Sequence, residues 1–150
     1  MKHKEILDYK IEKYSIPCGK FLGQGATRTV FEHKHNPDWC IKVCHKKGTT
    51  TQGANNIIEW NVWHGLDEER KKFLVKPISI HEDGVYIIME KGIPVSLKEV
   101  PRKIPSCFSD VGSANWVKIG RRVLLADYGY KTTLRAAKLD VNTGRRSILY

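Results

Sequence analysis

The spacing of hydrophobic residues changes several times along this chain, and each spacing predicts a different kind of element. Apolar residues recur every three or four positions over residues 4–14, which is typical of an amphipathic helix. The same spacing returns over residues 55–66 and predicts a second helix. Short alternating or apolar runs bounded by turn-forming residues predict strands at 20–22, 27–33, 39–44, 74–81 and 84–90.

The order of these elements predicts the fold class. Three strands, a helix and two further strands give a five-stranded antiparallel sheet with the second predicted helix packed on it, which is an α+β arrangement. We expect a single domain over residues 1–150, because a chain of this length has room for one hydrophobic core. Its sheet-containing part would be residues 1–90, and residues 91–150 would form a smaller part of loops and hairpins.

The second half of the chain has fewer regular elements. Residues 91–109 contain three prolines and are expected to be irregular, with at most a short helical piece. Apolar residues on both sides of a turn at 120–121 predict a hairpin with strands 117–119 and 122–125. A last hairpin is expected around residues 141–144.

The charge of the chain points to a negatively charged partner. Lys and Arg number 26 against 16 Asp and Glu, which gives a net charge of +10. Such an excess is typical of proteins that bind a nucleotide, a nucleic acid or an acidic protein surface. Because the basic residues are dispersed and no nucleic-acid-binding motif is present, a nucleic acid is the less favoured partner.

The hydrophobic segments give no sign of a membrane protein. The longest apolar run, residues 85–89, is too short to cross a bilayer. The N-terminal segment is charged and lacks the apolar core of a secretory signal. We therefore expect a cytoplasmic protein without a membrane partner.

Four cysteines are present, and their positions do not form a disulfide framework. In a reducing cytoplasm they are expected to be buried thiols. Cys40, Cys44 and His45 lie close in sequence to His33 and His35, a combination that raises the question of zinc. Zinc ligands usually come in tight pairs that repeat, and that spacing fails here.

A glycine-rich segment joins the first two predicted strands. Gly23 and Gly25 carry no side chains, so their backbone can approach a phosphate closely and adopt conformations that other residues avoid. Successive N–H groups in such a turn form an anion-binding concavity. An ordinary glycine-containing hairpin is the alternative interpretation.

The third predicted strand places a lysine among apolar residues. Because side chains alternate between the faces of a strand, Lys42 shares a face with Cys40 and Cys44. An ammonium there can reach the phosphates of a bound nucleotide; the alternative is a surface lysine on an edge strand. A buried lysine needs a partner, and we expect Glu59, on the flank of the second helix, to supply it. The alternative for Glu59 is an exposed helical glutamate.

Oxygen-bearing side chains in the second half predict a magnesium site. Mg²⁺ prefers carboxylate and amide oxygens as ligands. Asp110 and Asn115 lie five residues apart in a loop of small residues. Asp127 follows an apolar strand and precedes an aromatic residue and a glycine. Asp and Asn at this spacing also occur in ordinary turns, which is the alternative.

Taken in order, these motifs resemble the protein-kinase-like superfamily over residues 21–129. The resemblance implies a kinase-like N-lobe followed by a much reduced C-lobe, with ATP and Mg²⁺ as cofactors. It implies that ATP is bound by Gly23, Gln24, Gly25, Val30, Cys40, Lys42, Met89 (the gatekeeper), Glu90 and Lys91. It also implies that Asp110, Lys42 and Glu59 are catalytic residues and that Asn115 and Asp127 hold the metal.

The chain departs from the usual kinase pattern in several places. Arg28 replaces the third glycine of the loop, and Phe108 and Ser109 replace the His-Arg pair before the catalytic aspartate. Only 21 residues follow Gly129, which leaves no room for the helical lobe that holds a protein substrate. The resemblance therefore implies a reduced kinase-like protein, of the type expected in compact phage genomes.

Three functions are compatible with these motifs. The first is a minimal phosphotransferase that moves the γ-phosphate of ATP to a hydroxyl acceptor, with Asp110 accepting the hydroxyl proton. The second is a non-catalytic kinase-like module that docks on another macromolecule, such as an acidic protein, and alters its activity. The third and weaker one is nucleic-acid binding through the basic surface.

Overall fold

The computed structural model describes residues 3–45, 54–108 and 111–130 of the chain. Two expectations from the sequence fall outside these ranges. They are the position of Asp110, the expected catalytic aspartate, and the hairpin expected around residues 141–144.

The chain divides into two compact units. The first comprises Met1–Ile57 and Pro77–Lys91, and the second comprises Ile58–Lys76 and Gly92–Tyr150. The chain therefore passes from one unit to the other three times, and one of these passages lies inside a helix. Within the described part of the chain, no helix has both the length and the apolar character needed to span a membrane.

The first unit contains one whole helix and a five-stranded antiparallel sheet. Its elements are α1 (His3–Lys13), β1 (Cys18–Gln24), β2 (Arg28–His33), β3 (Trp39–Cys44), β4 (Pro77–Ile80) and β5 (Tyr86–Glu90). The strand order is β1-β2-β3-β5-β4, and every neighbouring pair is antiparallel. The α+β class and the five-stranded antiparallel sheet predicted from the sequence are confirmed.

Strand β3 lies in the centre of this sheet and has the bounds that the sequence predicts. Ile41 and Val43 are fully buried on one face, while Cys40 and Cys44 are buried on the other. A strand that is apolar on both faces can occupy a central position, because both of its faces can be covered.

Helix α1 packs on the sheet face that carries Ile41 and Val43. Leu7, Ile11 and Tyr14, whose spacing predicts this helix, contact that core. The second predicted helix was expected to pack on the sheet, whereas α1 covers this face. Helix α1 covers this face because its apolar stripe packs against the strands, and this packing removes apolar surface from water.

The second unit contains a small three-stranded antiparallel sheet with strand order β6-β7-β8. Its elements are residues 58–65 of α2 (Ala54–Gly65), α3 (Glu68–Lys71), β6 (Ile93–Pro94), β7 (Trp116–Ile119), β8 (Arg122–Leu125) and the 3₁₀ turns Leu97–Glu99 and Ser113–Asn115. The predicted hairpin of β7 and β8 is confirmed. Gly92 is required beside β7, since a Cβ there would lie 2.6 Å from Val117 Cγ2.

The strand predicted over residues 74–81 begins only at Pro77. Leu74 instead forms an isolated parallel bridge with Leu125, and the Val75 N–H donates to the Leu125 carbonyl at 3.0 Å. Tertiary pairing with β8 thus takes the first residues of the apolar run. The four-residue helix α3 was not predicted, because it is too short for a periodic pattern; the Asp67 side chain caps it by accepting from the Arg70 N–H at 2.8 Å.

Candidate functional site

The glycine-rich segment forms the turn between β1 and β2. Gly23 pairs with Val30, and Gln24 pairs with Thr29, in the register of the two strands. The Gly25 N–H donates to the Arg28 carbonyl at 2.9 Å, which closes the turn at the end of the sheet. The predicted glycine-rich turn is therefore present.

The two glycines of this turn do not serve an unusual backbone conformation. Among the described residues, the glycines with positive φ are Gly84 and Gly120, so the expectation for Gly23 and Gly25 was wrong on this point. A Cβ at Gly23 would meet nothing within 4 Å, and a Cβ at Gly25 would lie 3.9 Å from the nearest atom, the Arg28 carbonyl oxygen. The fold thus has space for a side chain at both positions, and the absence of one leaves the backbone bare.

Lys42 lies in the middle of the central strand and is 6% exposed. In the sheet register it stands opposite Val30 on β2 and Ile87 on β5, so apolar residues flank it on both sides. Its face of the sheet is the one opposite α1, because alternate residues of β3 face α1. The alternative of a surface lysine on an edge strand is excluded.

The predicted base-contacting residues lie farther along the same strands. Met89 is fully buried and pairs with Cys40 in the sheet register. The Cys40 thiol donates to the Glu90 carbonyl at 3.7 Å. The Lys91 N–H donates to the Asp38 carbonyl at 2.8 Å, so it is engaged within the protein. Two backbone groups, the Glu90 carbonyl and the Lys91 N–H, were expected to contact a base. The Glu90 carbonyl is the more available of the two for a hydrogen bond to a base, because the thiol that donates to it is a weak donor.

An ion pair lies at the end of this group of residues. The Lys91 ammonium and the Glu32 carboxylate approach to 2.7 Å, each about 30% exposed. The hydrogen bond from Lys91 lowers the pKa of Glu32, and nearby Lys20 acts in the same direction. In water-exposed surroundings such a pair contributes little to stability. Its effect is to hold the side chain of Lys91 beside Glu32 on β2.

Arg28, which replaces the third glycine of the kinase pattern, is buried rather than exposed to a ligand. Its guanidinium donates to Asn56 Oδ1 at 3.0 Å. The Asn56 amide is fully buried and donates to the Lys42 carbonyl at 3.1 Å and to the Gly84 carbonyl at 2.9 Å. The network links β2, β3 and the first turn of α2. Sequence reasoning did not identify Asn56, because a polar residue in the first turn of a helix usually faces solvent.

In the second unit, the β7–β8 hairpin brings the two predicted metal ligands to one end of the sheet. Trp116 pairs with Leu125, and the Ala126 N–H donates to the Asn115 carbonyl at 2.7 Å. Asp127 is therefore the neighbour of the residue that is hydrogen-bonded to Asn115. The Trp116 indole N–H donates to the Val111 carbonyl at 2.9 Å, which holds the loop before the hairpin.

Glu59 is fully buried, which excludes the alternative of an exposed helical glutamate. Its carboxylate accepts the Tyr128 N–H at 3.0 Å. The Tyr128 hydroxyl donates to the Val75 carbonyl at 2.7 Å, so the residue after Asp127 is held at both its backbone and its side chain. Glu59 was predicted as the partner of Lys42; its contact with the segment next to Asp127 was not predicted.

The predicted site residues are distributed over both units. The glycine-rich turn, Lys42 and the base-contacting residues belong to the first unit, whereas Glu59, Asn115 and Asp127 belong to the second. The ion pair between Lys42 and Glu59 stays a prediction. So does the role of Asp110, which lies outside the described residues.

The chemistry available for metals and thiols is simple. The part of the chain that the structure describes contains no group of three His, Cys, Asp or Glu side chains that could hold a metal ion. The four cysteines are free thiols, and burial raises the pKa of Cys18 to about 12. Asn115 and Asp127 provide one amide and one carboxylate, which is a set that Mg²⁺ accepts when other oxygens complete its shell.

No protein-family model matches this chain, and a search of curated proteins finds no significant relative.

Proposed function

We propose that this chain binds ATP with Mg²⁺ as a minimal kinase-like protein and transfers the γ-phosphate to a hydroxyl acceptor. The observation that carries the proposal is the β7–β8 hairpin, which brings Asn115 next to the segment that contains Asp127. These are the hard oxygen ligands that Mg²⁺ takes together with nucleotide phosphates. A glycine-rich turn and a buried strand lysine precede them in the order found in kinases, and this order favours a nucleotide complex over a lone metal ion.

Residues of the first unit supply the nucleotide contacts in this proposal. The turn between β1 and β2 offers backbone that carries no side chain at Gly23 and Gly25, where a Cβ would meet nothing closer than 3.9 Å, so phosphates can approach it. Lys42 offers an ammonium to the phosphates from the sheet face opposite α1. Val30, Cys40 and Met89 lie along the same group of strands and offer apolar surface to a base.

Residues of the second unit supply the metal ligands. Asn115 and Asp127 would hold Mg²⁺, which when bound neutralises charge on the β- and γ-phosphates. Glu59 accepts the N–H of Tyr128 and so fixes the backbone next to the Asp127 carboxylate. The Tyr128 hydroxyl adds a second anchor. These contacts fix the backbone that follows Asp127, which limits the positions that its carboxylate can take when it binds a metal.

The transfer step in this proposal is a substitution at the γ-phosphorus. The acceptor oxygen forms a bond to phosphorus, the bond to the β–γ bridging oxygen breaks, and ADP leaves with that oxygen. The hydroxyl proton passes to the carboxylate of Asp110, the general base that the kinase resemblance implies.

Calorimetric titration with Mg-ATP tests the nucleotide site. We expect binding by the wild type at sub-millimolar ligand, accompanied by a rise in Tm. Lys42→Met and Asp127→Ala should each weaken binding by about tenfold or more, the cost of one charge-assisted contact. Lys118→Met, which removes an exposed lysine from β7, is the control and should bind as the wild type does. No heat and no Tm shift with the wild type at millimolar Mg-ATP would overturn the proposal.

Turnover needs a separate measurement. Release of ADP by the wild type, lost in Asp110→Asn at unchanged Mg-ATP affinity, would support phosphotransfer. Binding of Mg-ATP without ADP release, in the presence of protein, sugar and nucleoside acceptors, would favour the second candidate function.

The second candidate is a kinase-like module that docks on an acidic partner. The observation that favours it is a basic pair on the second unit, where the exposed Arg122 side chain donates to the Lys72 carbonyl at 3.2 Å. This contact places two exposed cationic residues next to each other, and Arg121, the neighbour of Arg122 in sequence, is also exposed. In this case Arg121→Glu combined with Arg122→Glu should remove the biological effect, while Lys42→Met should leave it unchanged.

A further inference from the structure

We propose that His45 is a positioning residue that sets the orientation of the glycine-rich turn for phosphate binding. The inference rests on the proposed function, because it assigns a role within the same nucleotide site. His45 follows β3 directly and is 1% exposed, so its imidazole is enclosed by the protein.

Three hydrogen bonds join His45 to the turn. Its backbone N–H donates to the Thr27 carbonyl at 3.0 Å. Its ring contacts the Ala26 carbonyl through Nε2 at 3.1 Å and the Thr29 hydroxyl through Nδ1 at 2.9 Å. One residue thus holds the two peptide groups at the tip of the turn and the first part of β2.

The chemistry of these partners fixes the tautomer of the ring. A carbonyl oxygen can only accept, so the contact with Ala26 requires a proton on Nε2. In the neutral ring Nδ1 is then an acceptor, and the Thr29 hydroxyl donates to it. The Ala26 carbonyl therefore selects the tautomer, and the hydroxyl of Thr29, which is as buried as His45, satisfies the remaining ring nitrogen.

The contact with Ala26 determines where the next N–H points. The peptide bond is planar, and the described part of the chain contains no cis peptide; in a trans peptide the C=O and the following N–H point in opposite directions. Because the Ala26 carbonyl is directed at the His45 ring, the Thr27 N–H is directed away from that ring.

The sheet register shows on which face of the sheet the His45 ring lies and towards which face the Thr27 N–H points. Thr29 pairs with Val43, and directly opposed residues of an antiparallel pair share a face. Val43 belongs to the core under α1, so Thr29 and the ring bonded to it lie on the α1 face. Lys42 lies on the opposite face, and the Thr27 N–H is turned towards that side. His45 thus orients an amide donor of the turn to the face that carries the phosphate-binding lysine.

Helix α1 fixes the other end of this arrangement. The buried ammonium of Lys10 donates to the Cys44 carbonyl at 2.6 Å, next to the backbone of His45. The end of β3 is thereby held in place, so that the imidazole meets the turn at a defined position. A positioning role follows, since none of these side chains needs to touch the nucleotide.

Calorimetric titrations with ADP, inorganic tripolyphosphate and adenosine separate positioning of phosphates from general structural support. We expect His45→Phe and Thr29→Val to weaken binding of ADP and tripolyphosphate about tenfold, which corresponds to one lost hydrogen bond in the turn. Adenosine, which has no phosphate, should bind to these variants as it does to the wild type. Thr29→Ser keeps the hydroxyl and should restore phosphate affinity.

Val43→Ala is the matched control, because it removes apolar volume from the same strand and face without touching the turn. Loss of stability alone would then show in Val43→Ala and in the His45 variant alike. If wild type binds ADP and the His45 and Thr29 variants bind it equally well, the inference is wrong while the proposed function stands. If the wild type binds none of the three ligands, the proposed function itself fails, and the inference fails with it.

The tautomer gives a test that needs neither a ligand nor a variant. Long-range ¹H–¹⁵N spectra of the wild-type imidazole should show the proton on Nε2 and a hydrogen-bonded Nδ1 acceptor. A proton on Nδ1 with an unprotonated Nε2 would overturn the inference. Because the measurement is made on the wild type, it decides the question even if His45→Phe does not fold.

Discussion

At the scale of single residues, Gly25 separates what the fold requires from what a ligand requires. Its φ is not positive, and a Cβ there would have its nearest neighbour at 3.9 Å. We therefore expect Gly25→Ala to leave the free energy of unfolding unchanged or to raise it by up to about 1 kcal/mol, since alanine restricts the unfolded chain. Affinity for Mg-ATP should fall by about tenfold, because the methyl group covers backbone that phosphates would approach.

The same substitution elsewhere provides the control. A Cβ at Gly65, the last residue of α2, would also meet nothing within 4 Å, and Gly65 has no part in the glycine-rich turn. Gly65→Ala should therefore change neither property unfavourably. Urea unfolding and calorimetric titration measure the two quantities on each variant. A loss of stability above about 1 kcal/mol in Gly25→Ala, or unchanged affinity, would contradict the interpretation.

His33 is a second residue whose contacts lead to a measurable prediction. Its Nδ1 accepts the N–H groups of His35 and Asn36, at 3.0 and 3.1 Å, in the turn after β2. Burial, and to a lesser degree the charge of His35, lowers the pKa of His33 in the folded state. The unfolded chain then binds this proton more tightly. The stabilising contribution is complete above about pH 6.5, the ordinary histidine pKa, and is lost as the pH falls through the lower folded-state value.

Urea midpoints measured between pH 8 and pH 5 test this sign. We expect the wild type to lose stability on acidification, and His33→Asn to lose less, because an asparagine oxygen accepts a hydrogen bond at every pH. The exposed His64 on α2 is the control, and His64→Gln should follow the wild type. A wild-type midpoint that rises as the pH falls below 6.5, in parallel with His33→Asn, would contradict the assignment.

At the scale of elements, whether a helix or strand was predicted correctly depended on its length and on where it buries its surface. Strand β3 was predicted with its observed bounds because it is apolar on both faces and flanked by turn residues. Helix α3 and strand β6 were missed, since four and two residues are too few for a periodic pattern. The start of β4 was wrong because β8 pairs with the residues before Pro77, a long-range contact that local spacing does not encode.

The contact between Arg28 and Asn56 couples the glycine-rich hairpin to the first turn of α2. Removal of the Asn56 side chain would leave the buried guanidinium of Arg28 and two backbone carbonyls, one on β3 and one in the turn before β5, with one hydrogen bond fewer each. We expect Asn56→Ala to lower the free energy of unfolding by about 2–4 kcal/mol. Arg28→Met, which removes the charge together with its hydrogen bond, should cost less than Asn56→Ala.

A double-mutant cycle measured by urea unfolding isolates the pair. A coupling energy of about 1 kcal/mol or more between the two substitutions is expected for a buried, charge-assisted hydrogen bond. Asn61→Ala, at an exposed position on the same helix, is the matched control and should cost less than about 0.5 kcal/mol. Additive effects of the two substitutions would show that the strand and the helix are not linked through this contact.

At the scale of the whole molecule, the candidate site could be predicted only because its residues stand in an order that resembles that of kinases. The β7–β8 hairpin was expected from the apolar residues on both sides of a turn, and its pairing, which was not predicted, brings Asn115 next to the segment of Asp127. The groups that support the candidate site were not predicted. His45, Asn56 and the contact of Glu59 with the Tyr128 N–H depend on buried polar networks, whose members come from distant parts of the chain and share no spacing.

The net charge of +10 leads to the last prediction, on nucleic acid. The exposed cationic residues of the second unit, such as Lys72 and Arg122, come from short elements separated in sequence, and a described 3₁₀ turn between them carries the acidic Glu99 close to Lys118. Such a distribution gives a diffuse positive field rather than a track of phosphate contacts.

We therefore expect the protein to bind random-sequence duplex DNA and single-stranded RNA no more tightly than about 1 μM at physiological salt, the strong end of non-specific binding. Fluorescence anisotropy at 50 and 200 mM salt measures this, with Lys20→Glu on β1 as a charge-matched control for Arg122→Glu. Nanomolar binding that Arg122→Glu abolishes and Lys20→Glu does not would make nucleic acid the partner of the second unit and would place the nucleotide site in a secondary role.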